Sequence, residues 1–173
     1  MRHRQLTRIV YRIMKAVVSR PRMLAVACWT GADYRSVRAS VGGDVVEHGA
    51  VVVAFWLRRQ PRWLHLSPWA CRDAQQLLDG GSPTGRRASS LATVLHEAIH
   101  ARGLEDEAQV NCYAVQLVPA AARLMGLSPA RADYLGLLAL NYTRRTAPPG
   151  CWNALACRDG GEWDLAPHRG NVR

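Results

Sequence analysis

The apolar residues of the first twenty positions fall along one side of a helix. Leu6, Ile9, Val10, Ile13, Met14 and Val17 recur at three- and four-residue intervals, with Arg8, Arg12 and Lys15 between them. This predicts a basic amphipathic helix over residues 1–20, broken at Pro21, that docks on the rest of the chain rather than lying on an anionic membrane. Residues 24–39 hold two short runs around Gly31-Ala32-Asp33 and predict a hairpin, followed by a turn at Gly42-Gly43-Asp44. The β-branched and aromatic run at 49–57 predicts a buried strand, and the alternating 63–66 a shorter one after Pro61.

Helical signals dominate from there on. Ser67-Pro68 supplies an N-cap and a first-turn proline for a helix to about Leu78, and the glycine-rich stretch 79–87 reads as a loop. Residues 88–101 form an uninterrupted helical window with Gly103 just past its end. A second helix runs from about Asp106 to Met125 with Pro119 inside it, and Ser128-Pro129 opens a third to about Tyr142. From Ala147 the chain is rich in Pro, Gly and Trp without a period, which predicts an irregular tail folded back on the domain. The expectation is an α+β fold with a small antiparallel or mixed sheet packed on a helical body. It divides into residues 1–20, a domain over 21–146 and a tail over 147–173.

Composition narrows this reading only a little. The 173 residues carry a net charge of +10, yet Lys15 is the only lysine and the arginines are scattered, so nucleic acid is not the expected partner. No apolar run approaches the roughly 20 residues of a membrane-spanning helix. Five cysteines (Cys28, Cys71, Cys112, Cys151, Cys157) form no CxxC pair, which argues against a cysteine-built zinc site. Their odd number favours reduced thiols in the cytoplasm, with pairing inside the fold and a secreted or membrane-peripheral location left open.

The chemistry lies in His96-Glu97-Ala98-Ile99-His100. Two histidines four apart on a helix project from one face, so both imidazoles can reach a single zinc ion at about 2.0–2.1 Å. Glu97 beside the first of them is placed as the general base that takes a proton from a zinc-bound water. Leu91, Val94, Leu95, Ala98 and Ile99 predict a largely buried helix, where unpartnered histidines would be costly. A catalytic zinc needs a third protein ligand, and Glu105, Asp106 and Glu107 follow at once.

These residues resemble the HExxH zincin peptidases, and two patterns within that group compete for the acids. His96 to Asp106 reads HExxHxxGxxD and resembles the metzincin signature, which implies Asp106 as third ligand. Glu107-Ala108-Gln109-Val110-Asn111 with Ala114 resembles the gluzincin pattern, with valine replacing its first alanine. That implies Glu107 as ligand and Asn111 as the partner orienting the first histidine. Glu107 is preferred, with Asp106 as the alternative, because the chain from Asp106 onward reads as helix. The departure is the short turn of six residues between His100 and Glu107.

The stretch from Glu107 through Asn111 and Ala114 to Pro119 is also similar to ImmA/IrrE-type peptidases. Leu66-Ser67-Pro68 with Cys71, and Cys157-Arg158-Asp159-Gly160-Gly161 with Asp164-Leu165, resemble segments of small HExxH proteins from high-GC bacteria. The resemblance implies a zinc metallopeptidase acting on a peptide or protein. The alternative is a non-catalytic zinc protein whose basic surface binds nucleic acid or anionic lipid. An oxyanion stabiliser is expected among Tyr113, Tyr134, Tyr142 and His168, with no order among them. Tyr113 reads as a core residue, strand 63–66 either as the sheet edge that takes an extended peptide or as a plain structural strand, and His3, His48 and His65 as surface or loop residues without metal roles.

Overall fold

The computed structural model describes residues 1–17, 24–41, 53–57 and 59–166. Helix α1 (Arg4–Val17) leads into β1 (Ala25–Cys28), α2 (Gly31–Val41), β2 (Ala54–Trp56) and β3 (Trp63–Leu66), and four helices follow. These are α3 (Pro68–Leu78), α4 (Gly85–His100), α5 (Glu107–Leu124) and α6 (Pro129–Thr146). The architecture is α+β, with a small mixed sheet on a helical body. The expected turn at 42–44 and residues 49–52 of the first expected strand lie outside the described residues.

The strand order is β1-β3-β2, with β1 parallel and β2 antiparallel to β3. Two expectations are corrected here. Residues 24–39 form a strand and a helix rather than a hairpin. Thr30 caps that helix: Asp33 N–H donates to Thr30 Oγ1 at 3.3 Å, and the Thr30 hydroxyl donates to Asp33 Oδ2 at 2.7 Å. The strand Trp63–Leu66 is central, not an edge, because it is paired on both sides. Its Leu64 and Leu66 join the main core while His65 is buried on the other face, as a strand covered on both faces requires. The outer strands are β1, whose free side bonds the backbone of Met1 and His3, and β2, which no further strand pairs among the described residues.

The main core lies between the sheet and the helices, and α1 is part of it. Leu6, Ile9, Val10, Ile13 and Met14 are all buried against it, while Arg4, Arg8, Arg12 and Lys15 stay exposed. The polar Thr7 within that apolar face is satisfied: its hydroxyl donates to His3 O at 2.8 Å and accepts from Val26 N–H at 3.0 Å. Pro119 sits inside α5 without dividing it, and Gly136 of α6 crosses at that point. A Cβ on Gly136 would lie 2.6 Å from Pro119 Cγ, so only glycine permits this approach of the two helices. Buried Asp73 ties α3 to α4, accepting from Ser90 Oγ at 2.8 Å and pairing with Arg86 at 2.9 Å.

Two disulfides replace the reduced thiols expected for four of the cysteines. Cys28–Cys71 joins the end of β1 to α3, and Cys112–Cys157 joins α5 to the tail, leaving Cys151 free and buried. Odd cysteine counts permit this outcome whenever one thiol lacks a partner. As expected, residues 147–166 are irregular and folded back, with Cys157 wholly buried and Trp152 and Trp163 packed on the core.

His65 is the other correction, since it is neither on the surface nor in a loop. It is 3% exposed, its ring stacked between Phe55 (4.9 Å) and Trp29 (5.8 Å), and Trp29 Nε1–H donates to its Nδ1 at 3.2 Å. Among the described residues nothing pairs with its Nε2, and burial lowers its pKa to about 4. The folded state therefore holds a neutral ring where the unfolded chain takes up a proton near pH 6.5. Stability is full above that value and falls as the pH drops towards 4, by up to about 3 kcal/mol. Urea denaturation across this range should show that decline in the wild type, and His65→Phe should flatten it.

Candidate metal centre

The last two turns of α4, the first turns of α5 and the loop between them build the site. His96 and His100 lie one turn apart on α4, and their Nε2 atoms approach to 2.9 Å. Glu107 opens α5 and brings Oε2 to 3.3 Å from His96 Nε2 and Oε1 to 3.2 Å from His100 Nε2. Among the described residues, these three form the one group of His, Cys, Asp or Glu side chains close enough to share an ion.

The hydrogen bonds behind the rings decide what the converging atoms are. His100 Nδ1 lies 2.8 Å from the Leu104 carbonyl, which can only accept, so Nδ1 carries the hydrogen. Asn111 Nδ2 donates to the Cys151 carbonyl at 2.9 Å, which turns Oδ1 towards His96 Nδ1, also at 2.9 Å. His96 Nδ1 is therefore a donor as well. With both hydrogens on Nδ1, each neutral ring directs its Nε2 lone pair at the other and at the Glu107 carboxylate. Three acceptors facing one another repel unless a cation lies among them. A tetrahedral ion with bonds of about 2.0–2.1 Å spaces its ligand atoms by roughly 3.3 Å; the two histidine–glutamate separations match this, the 2.9 Å between the Nε2 atoms would have to open, and the donor types suit zinc.

The same proximity moves the ionisation equilibria. In the metal-free site, protonation of a ring puts a hydrogen on Nε2 as well, and such hydrogen bonds from His100 and His96 hold the Glu107 carboxyl well below the usual carboxylate range. Burial pulls His100 down, but contact with the Glu107 carboxylate and the Leu104 carbonyl outweighs it and the net direction is upward. Glu97 is pushed up by burial, against the pull of His96, His100 and the Trp56 N–H. That N–H, from edge strand β2, donates to Glu97 Oε2 at 3.0 Å and anchors one carboxylate oxygen.

The turn between the ligand helices works because of Gly103. It adopts φ +88° and donates its N–H to the His100 carbonyl at 2.9 Å, which carries the Leu104 carbonyl back onto His100. Asp106 does not join the cluster. It caps α5, accepting from Gln109 N–H at 2.7 Å, and this explains how six residues can separate the second histidine from the glutamate.

The group opens onto a cleft of about 950 Å³ lined by β2, α4, α5, the last turns of α6, and Pro148 and Cys151 of the tail. Of the expected oxyanion candidates, Tyr142 lines this cleft. Tyr113 is only partly buried and accepts from Gln109 Nε2 at 3.0 Å, Tyr134 is exposed away from the cleft, and His168 lies outside the described residues. His48 also lies outside them, and His3 bonds Gln75 beside α1. Sequence reasoning missed the Trp56 N–H and the carbonyls of Leu104 and Cys151, because backbone groups have no signature in residue type.

Comparison of the chain with protein-family models, with curated proteins and with solved structures finds no match.

Two substitutions separate the acids. Glu107→Ala should weaken zinc binding by about 100-fold or more through loss of a charged donor, whereas Asp106→Ala should leave it within a few-fold. Loss of the cap should instead cost about 0.5–2 kcal/mol of stability. Competition titration against a chelator, paired with denaturation curves, measures both.

Proposed function

We propose that this chain is a zinc-dependent metallopeptidase, with His96, His100 and Glu107 as metal ligands and Glu97 as general base. The observation that carries this reading is the convergence of two Nε2 lone pairs and a carboxylate beside a second, independently anchored carboxylate. A purely structural ion has no need of that second acid, and a structural site usually closes its fourth position with another protein ligand. Zinc, when bound, supplies a Lewis acid that polarises a carbonyl and makes water more acidic.

The protein side of the chemistry follows from the anchoring of Glu97. With Oε2 held by the Trp56 N–H, the carboxylate can turn its other oxygen to the cleft and take the proton of the attacking water. The proton can then pass from Glu97 to the departing amine. Burial, which raises this group above the usual carboxylate range, makes it the better base for the task. Edge strand β2 borders the cleft, and its backbone can align an extended peptide as an added strand. Tyr142 at the cleft is the leading candidate to steady the developing oxyanion.

An oxidising compartment suits this protein better than the cytoplasm expected from its odd cysteine count, because two cystines persist where thiol reductants are scarce. No described helix is long and apolar enough to cross a membrane. The second reading, a non-catalytic zinc protein binding an anionic surface, is favoured by one observation. Arg4, Arg8, Arg12 and Lys15 share the exposed side of α1 with no acid in that helix.

Metal analysis of the purified protein should find about one zinc per chain, and His100→Ala should abolish it. Glu97→Gln should keep the zinc and lower peptide hydrolysis by about 10²–10⁴-fold. A wild-type protein that holds no zinc without chelators present overturns the metal reading. Zinc-loaded protein whose phenotypes are indifferent to Glu97→Gln favours the second one.

A further inference from the structure

The tail reaches the candidate metal centre through a single amide, and the orientation of that amide is the point at issue. Asn111 has one donor end and one acceptor end. Its donor end is taken by the Cys151 carbonyl at 2.9 Å, and its acceptor end faces His96 Nδ1 at 2.9 Å. An amide flipped end for end would present N–H to Nδ1 instead. His96 would then keep its hydrogen on Nε2, and the lone pair aimed at Glu107 and His100 would be gone.

What fixes the Cys151 carbonyl is the folding of the tail against α5. Cys157 is disulfide-bonded to Cys112, the residue next to Asn111, and is wholly buried. Gln116, one turn further along α5, donates to Trp163 O at 2.8 Å and accepts from Leu165 N–H at 2.8 Å. Ahead of these anchors, between the end of α6 and Cys157, Cys151 N–H donates to Pro148 O at 3.0 Å and Cys157 N–H to Asn153 O at 2.9 Å, so the loop bearing the carbonyl is itself braced. The other histidine has no such dependence, because Leu104 belongs to the turn between the ligand helices.

We infer that the tail is a positioning part of the metal centre: the Cys151 carbonyl, held by the Cys112–Cys157 disulfide, sets the Asn111 amide and through it the tautomer of His96. Opening that disulfide with a dithiol reductant, which delivers two electrons and two protons and leaves two thiols, releases the carbonyl. The ligand lone pair of His96 is then no longer enforced. The inference rests on the metal reading only for its consequence, a zinc affinity that depends on the state of this one disulfide.

The test compares the wild type with Cys112→Ala/Cys157→Ala, and uses Cys28→Ala/Cys71→Ala as a control lacking the other disulfide. Long-range proton–nitrogen spectra of the metal-free proteins, taken above neutral pH, report each histidine tautomer directly. His96 should carry its hydrogen on Nδ1 in the wild type and the control, and should shift towards Nε2–H in the Cys112/Cys157 variant, while His100 stays unchanged in all three. Zinc affinity should fall by about 10–100-fold in that variant alone. Adding Asn111→Asp should restore it, because both carboxylate oxygens accept and no flip can present a donor; a general loss of packing would not be rescued this way. A His96 tautomer and zinc affinity that match the wild type overturn the inference, and so does an equal loss in the control. A tautomer shift in a protein that binds no zinc in any form supports the linkage while removing the metal reading.

Discussion

Two imidazole hydrogens, each committed to a carbonyl oxygen, determine the character of this site. The Leu104 carbonyl takes the hydrogen of His100 and the Asn111 side chain takes that of His96. The ring nitrogens left over have no choice but to face Glu107 as lone pairs. Such an arrangement is electrostatically unfavourable by itself and favourable around a cation. On the proposed reading, these two hydrogen bonds build into the fold a preference for a metal among His96, His100 and Glu107.

Each element around the site contributes to that constraint. Gly103 lets the turn reverse tightly enough to return a carbonyl to α4, and the Asp106 cap starts α5 so that Glu107 falls in its first turn. The contact of Gly136 with Pro119 seats α6 close against α5, and Tyr142 near its end borders the cleft. The sheet contributes through its edge, since β2 offers the Trp56 N–H to Glu97. The disulfides tie the sheet to α3 through Cys28–Cys71 and the tail to α5 through Cys112–Cys157.

Much of this was legible in the sequence, for reasons that also explain what was not. The helices from Ser67 onward announce themselves by Ser-Pro caps, a long apolar period and glycines at their ends, and they appear within a few residues of the expected bounds. His96, Glu97, His100, Glu107 and Asn111 were legible because spacing on helices maps directly onto spacing in space. Glu107 is preferred over Asp106 because the chain from Asp106 onward reads as helix, and the side chains that converge are those of His96, His100 and Glu107. The N-terminal half was harder. The Thr30 cap is a weak signal beside two glycine-bearing turns, and a short strand does not reveal whether it is central or at an edge. His65 reads as a surface or loop residue and instead fills an aromatic stack. Disulfide pairing and the three backbone groups at the site depend on tertiary proximity alone.

The central claim is that His96, His100 and Glu107 are built to share one zinc ion, and its most direct test is crystallographic. Crystals grown with zinc should show an anomalous peak, at the zinc absorption edge, about 2.0–2.2 Å from both Nε2 atoms and a Glu107 oxygen. The rings should remain bonded through Nδ1 to Asn111 and Leu104. A peak held through Asp106 or through either Nδ1, or no peak at these residues, would contradict the account.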